Sequence, residues 1–216
     1  MKRLLVIVLM GLAVPFLAFG QTPPQKPGPG GKVLVIIRDV KLSDPVVLAL
    51  MITNEAGVMR EILRKAGYQV EVGSLAGESW GTPPHVLKAD RKLSAVNVTD
   101  YRGVVIPCLG IMPSELHPDL AAAVESAVAK GKPVAAQNGG VEMLAKAGVL
   151  SGRKYAASDV APSELRSGIY SGSGVVQDGR IITSGMCPGM AREYRGVQDG
   201  TPRLMEMLIA ELKLAK

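Results

Sequence analysis

The stretch from Lys132 to Gly148, Lys-Pro-Val-Ala-Ala-Gln-Asn-Gly-Gly-Val-Glu-Met-Leu-Ala-Lys-Ala-Gly, limits the fold more than any other part of the chain. Pro133–Ala136 is a short apolar run entered through Pro, as a buried strand would be. Val141, Leu144 and Ala145 then fall at helical spacing, and Gly148 supplies a stop. Asn-Gly at 138–139 also reads as a hairpin turn. The following Val-Glu-Met-Leu-Ala-Lys-Ala has no period-2 alternation, so the sequence predicts a strand-to-helix corner at Gln137–Gly140. Asn tolerates positive φ better than other non-Gly residues, which suits Asn138 to that corner. In an open parallel sheet such a corner is where ligands bind, with backbone N–H groups of the helix start turned toward them.

The rest of the chain alternates in the same way. Val33–Ile37 is a β-branched apolar run, the expected first strand. A polar connection over 38–44 leads to a helix over Glu55–Ala66, with a start as early as Asp44-Pro45 allowed; Val58, Met59, Ile62 and Leu63 form its apolar face and Gly67 ends it. Tyr68–Val72 reads as a second strand and 73–95 as a long surface excursion with a short strand near Val86-Leu87. Tyr101–Pro107 is a third strand. A helix starts at Pro118-Asp119, with His117 as its entry residue, and stops at Gly131. After the corner, Arg153–Ala157 reads as a short strand, 161–168 as a loop or helical turn, and Ile169–Val176 with Arg180–Ser184 as a hairpin. A last helix starts at Thr201-Pro202. The prediction is an α/β sandwich with a mainly parallel central sheet in one domain, 32–216.

The N-terminus reads differently. Lys2-Arg3, the apolar run Leu4–Phe19 and the small-residue site Ala18-Phe19-Gly20 have the form of a secretory leader, residues 1–20. The apolar run is short for a membrane span and contains Pro15. The sequence therefore predicts an exported (periplasmic or extracellular) protein with no stable membrane span after processing. Residues 21–31, rich in Pro and Gly, predict a tether. The formal charge of +6 comes without a run of like charges or an aromatic-interleaved basic stretch. It reads as a solvated surface, with no nucleic-acid partner.

The corner resembles that of the ThiJ/PfpI family, within the class I glutamine amidotransferase-like superfamily, whose members carry Lys-Pro-Val-Ala-Ala-Ile-Cys-x-Gly-like sequences there. Lys32–Ile37, Arg64–Val72, Asp100–Pro107 and Gln177–Gly185 resemble further landmarks of that family in the same order, so the resemblance spans about 32–214. It implies a flavodoxin-like three-layer sandwich. It also implies a pocket built from Glu55, Cys108, Leu109, Asn138, Gly139, Ser158, Cys187 and Pro188. The family's Cys nucleophile position is Asn138, the position of its frequent His is Ser158, and its Gly-Gly after the third strand is Cys108-Leu109.

A carboxamide is neutral and resonance-stabilised and makes no useful nucleophile, whereas it donates and accepts hydrogen bonds. The resemblance implies that Glu55 orients Asn138. The leading expectation is a divergent, non-catalytic protein that binds an unknown small molecule. A family-type hydrolase, lyase or deglycase using Cys108 is the alternative, and a dimeric interaction module is a third, since family members commonly form homodimers. Two Cys in an exported chain favour a disulfide, and the resemblance brings Cys108 and Cys187 to one crevice. Buried thiols and a redox-active pair remain open. Met112, Met186 and Met190 lie near the two Cys in sequence, but core Met is commoner than a soft-metal site. No metal and no cofactor is assigned.

Overall fold

A computed structural model describes residues 30–37, 45–109, 115–158 and 163–215. The expected leader, most of the tether, the 38–44 connection and Met112 lie outside the described residues.

The chain begins with β1 (Lys32–Ile37). One helical rod follows, made of α1 (Pro45–Met51), a π-helical turn (Ile52–Gly57) and α2 (Val58–Lys65). Then come β2 (Gln69–Ser74), the hairpin of β3 (Trp80–Thr82) and β4 (His85–Leu87), and β5 (Arg91–Lys92). The middle of the chain runs β6 (Gly103–Ile106), α3 (Pro118–Ala129), β7 (Val134–Gln137) and α4 (Gly139–Lys146). The last part holds β8 (Lys154–Tyr155), a 3-10 turn (Ser163–Ser167), β9 (Ile169–Tyr170), β10 (Val175–Asp178), β11 (Ile181–Ser184), α5 (Pro188–Glu193) and α6 (Thr201–Leu214).

The central sheet has seven strands in the order β10-β11-β7-β6-β1-β2-β5, parallel except for β10 at one edge. Without the two edge strands the order is the flavodoxin-like 2-1-3-4-5, which reverses direction between β1 and β6. Both faces are covered, so β1 is apolar throughout instead of alternating. Val33, Val35 and Ile37 pack with the rod residues Met51, Ile52, Met59 and Leu63 and with Leu204, Leu208 and Leu212 of α6. Leu34 and Ile36 face Leu120 and Val124 of α3 and Val141 and Leu144 of α4.

Three sequence expectations need correction. The Ile169–Val176 arm divides: β9 pairs in parallel with β8, and only β10 forms the hairpin with β11. The 73–95 excursion holds three short strands instead of one, and Arg91–Lys92 adds to the sheet edge beside β2. Helix α5 was not expected at all. It is a short helix entered through Cys187-Pro188, and the Pro at its first position was its only local signal.

Candidate functional site

Three neighbouring strands, β6, β7 and β11, deliver the site from their carboxyl ends, to Cys108, Asn138 and Cys187 respectively. The β7 end is the sharpest corner. Asn138 N–H continues the ladder by donating to Ser184 O at 2.7 Å, and Asn138 O accepts from Val141 N–H at 2.7 Å to open α4. Joining strand to helix within one residue puts Asn138 at φ 42° and ψ −107°, a conformation that non-Gly residues seldom hold. Gly140 lets the helix come this close, since a Cβ there would run into the carbonyl of Ile106.

A buried polar bracket fixes the β11 end. Gln137, fully buried, donates through Nε2 to Met186 O at 2.7 Å and accepts at Oε1 from Thr201 Oγ1 at 3.0 Å. Gly200 N–H also donates to Met186 O. The loop before Cys187 is thereby tied to the corner strand and to the start of α6. Cys187 then caps α5.

The β6 end is held by Glu55. The π-helical turn leaves Glu55 on the inner face of the rod, fully buried. Its two oxygens accept from the backbone N–H groups of Cys108 (2.7 Å) and Leu109 (2.8 Å). Two accepted backbone N–H bonds favour the charged form of a carboxyl group. Leu109 takes φ 57° to present its N–H. Sequence reasoning paired Glu55 with Asn138; the structure aims the Asn138 amide at Cys187 instead, with Nδ2 3.8 Å from Sγ.

Neither Cys108 nor Cys187 is in a disulfide, and both are buried. The Cys187 thiol pKa is lowered. The largest cause is the hydrogen bond from the Cys108 thiol, helped by Met190 N–H and Asn138, against burial and the Glu55 charge, which push it up. These donors together favour the Cys187 thiolate.

Above them opens a cavity of about 550 Å³. Val46, Val47, Leu50, Met51 and Met190 supply apolar walls, and Cys108, Asn138, Gly139, Glu142, Cys187, Gly189, Arg192 and Glu193 complete the lining. Of the residues expected at the pocket, four therefore line it: Cys108, Asn138, Gly139 and Cys187. Glu55 and Leu109 lie buried behind Cys108. Ser158 and Pro188 are not among the lining residues; Ser158 packs where its backbone N approaches Gly185, and Pro188 forms the first turn of α5. Sequence reasoning missed the α1 wall and the α5 wall. His117 accepts from Asp119 N–H as the cap of α3, and His85 bonds Thr53. Among the described residues no group of three or more His, Cys, Asp or Glu is placed to hold a metal ion.

The DJ-1/PfpI family model matches residues 46–194, which include every residue lining the cavity. No curated protein matches the sequence. Solved structures share the fold. A ThiJ/PfpI domain protein from Brachyspira murdochii is 17% identical with a TM-score of 0.64, covering 86% of this chain and 98% of its own. Drosophila melanogaster DJ-1beta is 24% identical with a TM-score of 0.57, covering 86% and 95%. Oxidised DJ-1 from Toxoplasma gondii is 24% identical with a TM-score of 0.54 and the same coverage. With the family's strand order, its strand-to-helix corner and a model match over most of its length, this chain belongs to the DJ-1/PfpI family.

Proposed function

We propose that the protein is an exported, small-molecule-binding member of its family in which the corner residue orients and does not attack. One observation carries this reading: Asn138 holds the corner and gives its amide to Cys187 at the floor of an apolar-walled cavity. A cavity of this size, with apolar walls and a few convergent polar groups, suits a compact, mainly apolar organic molecule. Nile red, a neutral apolar dye, is a suitable probe. It should bind saturably with one site per chain, and Leu50→Trp, which fills the α1 wall, should weaken binding roughly tenfold or more. No saturable binding, or the same affinity in Leu50→Trp, would refute the pocket assignment.

A second reading is favoured by the acidity of one thiol. If the chain turns over a carbonyl substrate as a hydrolase, lyase or deglycase, Cys187 is the better nucleophile than Cys108, because Cys108 donates its thiol hydrogen bond to it. Acyl transfer would lack two donors, since Glu55 already holds the N–H groups of Cys108 and Leu109. Turnover of a glyoxal substrate abolished by Cys187→Ser and retained in Cys108→Ser would establish this reading. Equal loss in both variants would overturn the choice of Cys187.

A further inference from the structure

The cavity lining is rich in sulfur. Met51, Cys108, Cys187 and Met190 all belong to it, and they come from α1, the turn after β6 and the start of α5. The two thiols are in hydrogen-bond contact. The sulfurs of Met51 and Cys187 lie 3.3 and 3.8 Å from a single point, the place where a side chain on Gly189 would begin. Gly189 thus keeps open a space that both sulfurs face. Packing alone explains a Met or a Cys in a core. It does not explain why three separate elements bring four sulfurs to the edge of one cavity.

We propose that this cluster is a Cu(I) site, with Cys187 as its thiolate ligand, Cys108 as a second sulfur and the Met51 and Met190 thioethers completing the coordination. Thiolate and thioether ligands select soft Cu(I), whereas Zn(II) prefers thiolate, imidazole and carboxylate. Among the described residues no three-member His, Cys, Asp or Glu set is available to Zn(II). On binding, Cys187 releases its proton to solvent and copper stays Cu(I), so no electron is transferred.

The proposal does not rest on the organic-ligand reading, and a chain that ignores Nile red can still hold copper. Reduced protein is titrated anaerobically against the Cu(I)–bicinchoninate complex. Wild type should withdraw one equivalent of Cu(I), with X-ray absorption showing sulfur alone in the first shell. Cys187→Ser should weaken binding roughly 100-fold, and the volume-conserving Met51→Leu/Met190→Leu double variant roughly tenfold. The double variant keeps both thiols and the side-chain volumes, so it reads ligation even if a Cys variant folds poorly. Failure of wild type to withdraw copper, a nitrogen or oxygen first shell, or undiminished affinity in the double variant would overturn the site.

Discussion

Asn138 occupies its corner for backbone reasons that do not depend on what its side chain can attack. The φ of 42° is set by the need to leave β7 and enter α4 within one residue. The side chain is then left to serve Cys187. Behind it, Glu55 does structural service with a buried charge. Truncation in Glu55→Ala would leave the N–H groups of Cys108 and Leu109 unsatisfied, and buried orphan donors cost about 1–3 kcal/mol each. The expected loss in urea unfolding is therefore about 2–6 kcal/mol. A loss below about 1 kcal/mol would mean that water replaces the carboxylate. At this scale the sequence was only partly legible. Asn138, Cys108 and Cys187 could be named from their places after strands. The lowered pKa of the Cys187 thiol could not, because it depends on the relative approach of three loops.

At the scale of elements, the helix rod and α4 explain the pocket walls. Periodicity located the rod's apolar face but not its π-helical turn, since one inserted residue barely disturbs the hydrophobic spacing. Helix α5 escaped because six residues are too few for a period to show. The close seat of α4 on β6 makes Gly140→Ala a sharp test: the new methyl meets the Ile106 carbonyl, and thermal unfolding should report a loss of about 1–3 kcal/mol. An unchanged melting temperature would mean that α4 is free to lift from the sheet.

The edge of the sheet offers a pH test. Glu71 of β2 bonds Lys32 (2.8 Å), Tyr101 (2.7 Å) and Arg91 (3.1 Å). Burial pushes its pKa up, but those three partners outweigh burial and hold it below the usual carboxylate value. The native state therefore takes up this proton at lower pH than the unfolded chain. Its stabilisation is complete above the unfolded value, about 4, and is lost as pH falls through the native one. Glu71→Gln should flatten the acid limb of the stability curve, measured by urea unfolding between pH 3 and pH 6. An acid limb as steep as that of wild type would assign the pH dependence to other groups.

For the whole molecule, the sandwich was legible because strands alternate with helices along the chain and both faces of β1 are apolar. The site was less so, because its walls come from segments more than a hundred residues apart in sequence. The proposed export predicts that the native protein starts near Gln21, which intact mass and N-terminal sequencing would report; a chain retaining Met1 would contradict it. The central claim is that the corner now holds a donor and that the acidic thiol stands beside it at Cys187. The direct measurement is peptide-resolved alkylation with iodoacetamide across pH, in wild type, Asn138→Ala and Asn138→Asp. The account predicts that wild-type Cys187 reacts at lower pH than an ordinary cysteine, whose pKa is about 8.5. It predicts an upward shift in Asn138→Ala and a larger one in Asn138→Asp, where a charge replaces the donor. A wild-type Cys187 that titrates like an ordinary thiol, with the same profile in both variants, would contradict it.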